Sequence, residues 1–403
     1  MPTSGGILFT RISSVIPGAI LLLGIAALVL FGYAGVGRGG STFAFDSTYF
    51  FVSGEMWEQK ISPYDPAVFK SWMSSIARIE AVSFAYPPNA APLSLALSIG
   101  SVSLSHILIG LINLAAITGL LAFVHSAIRL DPAVLGSPNV RTAEICTWAV
   151  VIGNPFTAHV VWMGQTTLLS AVFLLGSWLL AQRRLDVMAG LFLGISALKP
   201  QLALLVGVWF LLDRRWQLLA VSAMTVLAMS AWPLWTNGID GSWLAWIRSL
   251  IDYQGGAYNT LEFKHVFGLR SLLFAQGIAI PSTLPLALAG TLLLYLGRRY
   301  YQAVWLIGPI LILSILLVYA HDYDLAPLAI VTFPLLVAAR GKPLALGAII
   351  LLAFIIYFPQ RIWERVDMAA LARSREVALL LLLILYLGLC RIAQPAKVQQ
   401  PAS

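Results

Sequence analysis

Twelve apolar runs, most of them near the length of a membrane crossing, constrain this chain more than any other feature. They lie at 8–33, 104–127, 142–157, 164–181, 187–198, 201–212, 217–236, 282–297, 301–320, 323–339, 343–358 and 376–392. A helix needs about 20 apolar residues to cross a bilayer upright, and inside lipid every backbone polar group must be satisfied within the protein. The chain is 59% hydrophobic and 10% charged, which leaves too little polar sequence to wrap these runs in a soluble shell. The expected fold is an all-α, polytopic integral-membrane bundle of about 12 transmembrane or half-length helices. The runs at 187–198 and 201–212, with the neighbouring 88–99, are too short to cross upright and are expected as broken, tilted or re-entrant helices. Run 8–33 is too long for a cleaved signal and reads as a retained first helix.

The formal charge of +8 does not point to nucleic acid. Basic residues stand in short pairs at the ends of apolar runs, which is a topogenic pattern and not a binding face. With the N-terminus inside, thirteen lysines and arginines but only four carboxylates fall on the inner side, a balance of +9 against −1 outside. The long loops 34–90, 237–281 and 359–375 then face outward. Cys146 and Cys390 both lie in apolar runs, so disulfide, metal-cluster and thiol chemistry are not expected. One membrane domain, 1–393, is expected, with a disordered inner tail at 394–403.

Chemistry concentrates in the first outward loop. The stretch 43–92 carries five carboxylates, Asp46, Glu55, Glu58, Asp65 and Glu80, in a chain poor in charge. Two amphipathic segments are legible there. The first begins at Asp46 and runs to about Gln59; the second opens with Asp65 placed to cap and Pro66 at the first helical position. Both are expected to lie on the membrane surface, with Asp46 at headgroup depth. Asp46 there is either a general base for a hydroxyl or the cap of its own helix. Tyr49, in that helix, is a candidate substrate contact. The prolines of SPYDP (62–66) and AYPPNAAP (85–92) fix backbone direction, and Tyr64 and Tyr86 offer an apolar face with a hydroxyl to a sugar.

Later positions add candidates at outward ends of runs. Gln165, after Gly164, can contact a polar ligand or satisfy a helix start; His159, on the apolar segment before it, reads as structural. Lys199 sits between two half-length runs and is either a functional cation or a snorkelling lysine. Loop 258–273 gathers Glu262, Lys264, His265 and Arg270, which suit a phosphate or polar headgroup as well as any interfacial loop. In YAHDYDLAPL (319–328), His321, Asp322 and Asp324 can hold a phosphate when the imidazole is protonated, relay a proton or ligate a metal.

Taken in order, Asp46, SPYDP, FAYPP, GQTTLL, LKPQLALL and HDYD resemble glycosyltransferase family 87, the DUF2029 group of integral-membrane GT-C enzymes. That family includes polyprenol-phosphate-mannose-dependent α-mannosyltransferases. The resemblance implies a GT-C fold and a polyprenyl-phosphate sugar as donor, mannose first and an arabinose-type pentose as the alternative. It also implies a lipid or glycan hydroxyl as acceptor and an essential aspartate in the first extracytoplasmic loop, which falls on Asp46. The setting it implies is the bacterial inner (plasma) membrane, multi-pass, with the active site facing the periplasm among membrane lipids. Here GQTT stands where the family's GQ is followed by asparagine, a difference that bears on the acceptor. Residues and resemblance together assign Asp46 as base and Lys199, Arg270 and His321 to the donor phosphate. Tyr49, Tyr64, Tyr86, Gln165, Lys264, His265 and Asp322 are assigned to substrate, with no cofactor and no metal. A single base without a second carboxylate as nucleophile implies inversion. The rival classes are a lipid-linked sugar transporter or flippase, which would carry its ionisable groups at mid-membrane, and a non-catalytic scaffold.

Overall fold

A computed structural model describes residues 4–39, 43–77, 83–135, 140–256, 258–358 and 373–391, and side chains of the first helix from 17 to 36. Glu80, most of loop 359–375 and the tail 394–403 lie outside the described residues. Helices dominate, and the one sheet among the described residues is a pair of two-residue strands, so the chain is all-α.

The chain opens with α1 (Ser4–Gly39), then enters the first loop as α2 (Ser47–Glu58), α3 (Pro66–Ala77) and α4 (Ala91–Ser98). It continues through α5 (Val102–Arg129), the short α6 (Pro132–Leu135), α7 (Val140–Gly153) and α8 (Pro155–Met163). The apolar helices α9 (Thr167–Gln182), α10 (Asp186–Ser196), α11 (Pro200–Leu212) and α12 (Trp216–Met229) follow. The second large loop contains α13 (Ala231–Ile239), α14 (Ala245–Gly255), strand β1 (Val266–Phe267) and α15 (Leu269–Ala275). The last third holds α16 (Leu284–Leu296), α17 (Ile307–Leu317), strand β2 (Ala320–His321), a 3-10 segment Asp322–Val331, α18 (Thr332–Ala338), α19 (Pro343–Tyr357) and α20 (Ser374–Leu389).

Two helical stretches, Pro17–Val36 and Val102–Arg129, are long and apolar enough to cross a membrane by themselves. The count rises to four if the bent pairs Val140–Met163 (42°) and Trp216–Gly255 (68°) are each one span. The other apolar helices are 10–17 residues long, short for an upright crossing. Almost none of the Pro17–Val36 span is buried in protein, leaving Leu22, Leu23, Val29 and Leu30 bare, a surface that lipid covers. The chain is accordingly a membrane protein.

Small residues bring α1 onto the bundle. A Cβ at Gly153 would lie 2.7 Å from the Gly24 Cα, so both glycines are needed for the backbones of α1 and α7 to approach this closely. The main core runs through α5, α7, α9, α11, α17 and the 3-10 segment. A second cluster, with Trp57, Tyr64, Phe69 and Phe84 at its centre, fills the first loop.

That second cluster corrects one expectation. α2 was expected on the membrane surface, yet Phe50, Val52, Met56 and Trp57 are all fully buried. Both of its apolar stripes find partners, since α3, α4 and α5 pack around it and the Trp232 indole donates to the Trp57 carbonyl at 2.9 Å. The Asp65 cap does form, its Oδ1 accepting from the Ala67 and Val68 amides at 2.9 and 3.1 Å.

α9 has 16 residues and carries the chain about 24 Å from the level of Gln165. Exposed Gln59 and Arg183 are therefore suited to test the orientation that the charge pattern predicts. In a variant without Cys146 and Cys390, a cysteine at Gln59 should react with an impermeant maleimide on intact cells while one at Arg183 should not. The reverse labelling would contradict an inward N-terminus.

Candidate active site

The loop after α1 docks on the turn between α8 and α9. The Ala44 amide donates to the Trp162 carbonyl (2.6 Å) and the Asp46 amide to the Met163 carbonyl (2.7 Å). Gly164 ends α8 in the left-handed region (φ 74°), and a Cβ there would sit 3.0 Å from the Ala44 Cα and carbonyl oxygen, so another residue would hold the loop off.

Asp46 heads α2 without capping it, since its side chain makes no cap hydrogen bond. It takes a short hydrogen bond from the Gln165 side-chain amide instead. The Tyr86 hydroxyl donates to the other end of that amide, Gln165 Oε1, at 2.9 Å. Loss of contact with water pushes the Asp46 carboxyl up to about 7; the Gln165 hydrogen bond and the Lys199 charge pull the other way with smaller effect. An aspartate poised near neutrality is suited to accept a proton.

Asp46, Tyr86, Gln165, Lys199 and His321 share the wall of one cavity of about 1130 Å³, with Tyr49, His265 and Asp322. Leu30, Phe31, Ala34 and Gly35 of α1 close one side and give it an apolar flank. Elsewhere on the wall the antiparallel β1–β2 pair sets Val266 against His321. This register brings His265 to Asp322: Nδ1 is 2.7 Å from Oδ2, and the Asp322 amide donates to the His265 carbonyl at 2.9 Å. His159 approaches the other carboxylate oxygen at 3.7 Å. Burial opposes the Asp322 charge, but His159 and His265, with Arg375, outweigh it and hold the carboxyl well below the usual range.

Lys199, on the turn into α11, is buried and reaches Asp324 Oδ1 at 2.8 Å. Asp324 also accepts from the Thr167 hydroxyl (2.8 Å) and the His321 amide (3.1 Å). The Lys199 ammonium lies 4.4 Å from the Tyr323 ring centroid, a cation–π contact. Lys199 is thus a paired, buried cation at a cavity and not a lysine snorkelling to an interface. Burial lowers His321 to about 4, with Asp324 opposing less strongly, so its imidazole is neutral at pH 7. It stands 3.3 Å from the Tyr319 hydroxyl and 3.4 Å from that of Tyr253, a polar contact, and the phosphate hold that needs a protonated ring is not met at pH 7.

Three expected residues fall elsewhere. Arg270 lies on α15, beyond the strand pairing, and its Nε donates to the Ile280 carbonyl at 3.1 Å, so it does not line the cavity. Lys264 is exposed and outside the lining. Tyr64 is buried behind it, donating to the Tyr86 carbonyl at 2.9 Å. Conversely, His159, Tyr253, Tyr323 and Arg375 line the cavity without having been assigned to it. His159, read as structural, stacks on Trp162 at 5.1 Å and faces His265 at 6.2 Å. Arg375 stands just before the last apolar run, 376–392, where nothing in the sequence sets it apart from other cations at run ends. Among the described residues, no group of three or more His, Cys, Asp or Glu is spaced to hold a metal ion.

The Lys199–Asp324 pair should be costly to break from either side. Lys199→Met leaves a buried carboxylate without its cation and should destabilise the protein by about 3–5 kcal/mol. Adding Asp324→Leu should recover much of that loss, as read by thermal unfolding in detergent. A Lys199→Met single variant that melts with the unaltered protein would show the pair to be dispensable.

No curated protein matches the chain. Residues 84–339, more than half of it, match the family model of glycosyltransferase family 87. The matched stretch carries Tyr86, Gln165, Lys199 and His321, while Asp46 precedes it. The chain belongs to glycosyltransferase family 87.

Proposed function

We propose that this glycosyltransferase moves a sugar, mannose first, from a polyprenyl-phosphate donor to a hydroxyl of a lipid or glycan acceptor, with Asp46 as general base. The supporting observation is the setting of Asp46: a carboxylate that does not cap its helix, lies on the cavity wall and is raised to about 7. One membrane domain, 1–393, of the bacterial inner membrane carries the reaction, with the cavity opening outward.

The acceptor oxygen attacks the anomeric carbon while its proton passes to Asp46. The bond from that carbon to the phosphate oxygen breaks, and the polyprenyl phosphate leaves with the electron pair. A phosphate is a good enough leaving group that no general acid is needed, but its charge needs stabilising. Lys199 has three N–H donors and uses one on Asp324, which leaves others for the phosphate. Neutral His321 can donate a hydrogen bond beside it. The apolar flank from α1 suits a polyprenyl chain, and Tyr49 suits the sugar.

The carboxylates favour inversion. Retention by double displacement needs a carboxylate nucleophile at the anomeric carbon. Asp322 is engaged by two imidazoles and Asp324 by Lys199 and Thr167, which among the described carboxylates of the cavity wall leaves Asp46 for a basic role. A β-linked donor would give an α-linked product.

Purified protein with a radiolabelled polyprenyl-phosphate mannose and a membrane-lipid extract as acceptor tests this reading. Turnover should rise with pH through about 7 and level off above it, because the base must be ionised. Asp46→Asn, which keeps the shape but cannot take the proton, should lose roughly 10²–10⁴-fold in rate at unchanged expression. Near-normal transfer by Asp46→Asn would remove the base assignment. Transfer from a pentose donor and not from mannose would correct the sugar alone.

A further inference from the structure

We infer that Tyr86 and Gln165 are positioning residues whose hydrogen bonds to each other and to Asp46 fix which carboxylate oxygen is open to the acceptor hydroxyl. The inference rests on the assignment of Asp46 as base and extends it to two residues expected to bind substrate.

The direction of each hydrogen bond is dictated by chemistry. Burial, followed by the Asp46 charge, raises the Tyr86 hydroxyl far above its ordinary range, so it keeps its proton. The hydroxyl donates to Gln165 Oε1 at 2.9 Å. With the amide oxygen engaged, the amide NH₂ must face Asp46, and it donates to Oδ2. Among the described residues Oδ1 has no hydrogen bond, and Asp46 lines the cavity. One oxygen is thus held while the other is presented to the cavity.

Tyr86 is itself immobilised from two sides. Phe50 of α2 packs on its ring at 4.3 Å, and the Tyr64 hydroxyl holds its carbonyl at 2.9 Å. Gln165 is fixed through its backbone, whose amide donates to the Val160 carbonyl at 3.0 Å directly after the left-handed Gly164. The lock therefore joins the first loop, the segment before α4 and the α8–α9 turn.

The lock also sets when Asp46 ionises. An N–H donated to a carboxylate favours the charged form, whereas an amide turned to present its oxygen would favour the protonated form. Other titratable or charged groups acting around Asp46 are Lys199 on the turn into α11, Tyr253 of α14 and Tyr323 of the 3-10 segment. Of these, Lys199 is anchored on Asp324. Tyr86→Phe removes the only donor shown to hold the amide oxygen, freeing Gln165 to rotate; Gln165→Met removes the donor to Asp46 outright.

Infrared difference titration reads Asp46 without turnover, because the protonated-carboxyl band that disappears in Asp46→Asn belongs to it. In Tyr86→Phe and Gln165→Met the midpoint of that band should rise by about one pH unit or more. Transfer from radiolabelled polyprenyl-phosphate mannose should then fall about tenfold more at pH 6 than at pH 9, and the loss that persists at pH 9 is the share due to lost orientation. An unmoved infrared midpoint in whichever variant folds, or transfer equal to that of the unaltered protein at both pH values, would overturn the inference. Normal transfer by Asp46→Asn would instead strike the base assignment, and the infrared midpoint would still decide whether Tyr86 and Gln165 govern Asp46.

Discussion

Two backbone hydrogen bonds, from Ala44 to Trp162 and from Asp46 to Met163, are the constraint on which the site depends. They fasten the first loop to the end of α8 and so place Asp46 beside Gln165, 119 residues further along the chain. The contact requires unusual backbone on both partners. Gly164 is left-handed at φ 74°, and Ala44 is itself left-handed at φ 58°, a conformation that costs a non-glycine residue of order 1 kcal/mol. Without this docking Asp46 would be a loop aspartate in water, fully ionised and without direction. With it, the carboxyl is shielded, raised towards neutrality and aimed at the cavity.

The cavity holds ionisable groups in surroundings poor in water, and each carboxylate answers that cost differently. Asp324 is paired with Lys199 and accepts from Thr167 and the His321 amide. Asp322 sits between His265 and His159 and stays charged. Among the described residues Asp46 receives one amide hydrogen bond and no salt bridge, and its affinity for a proton rises accordingly. The division of labour follows from partner count: the well-partnered carboxylates hold structure and cations in place, and the under-partnered one is left reactive. A buried pair such as Lys199–Asp324 adds little net stability, yet it keeps a cation at the cavity wall that apolar residues would not supply.

Much of this was legible in the sequence because lipid imposes simple rules. The apolar runs at 104–127, 187–198 and 201–212 correspond closely to α5, α10 and α11, and the short runs are short helices. Pro66 opens α3 as its place after Asp65 predicted, whereas Pro155, inside the run 142–157, opens a new helix where one continuous run was expected. Long-range pairing was not legible. Nothing local to His159 indicates that Asp322 will approach it, and the two-residue β1–β2 pairing that delivers His265 is too short to leave a periodic signal. Arg270 illustrates the same limit in reverse: it shares a loop with His265, but that pairing leaves it on the next helix, turned to Ile280. Amphipathicity misled at α2 because it reports that a helix has an apolar stripe and not what covers it; α3, α4 and α5 cover this one where lipid was expected.

The most direct test of the account is a structure of the purified protein with an unreactive polyprenyl-phosphonate sugar bound. The account predicts the sugar in the cavity, the phosphonate within hydrogen-bond reach of Lys199, and space beside the anomeric carbon for a hydroxyl about 2.6–3.2 Å from Asp46. Binding away from this cavity, or with the phosphonate against Asp46 and the anomeric carbon turned from it, would contradict the account.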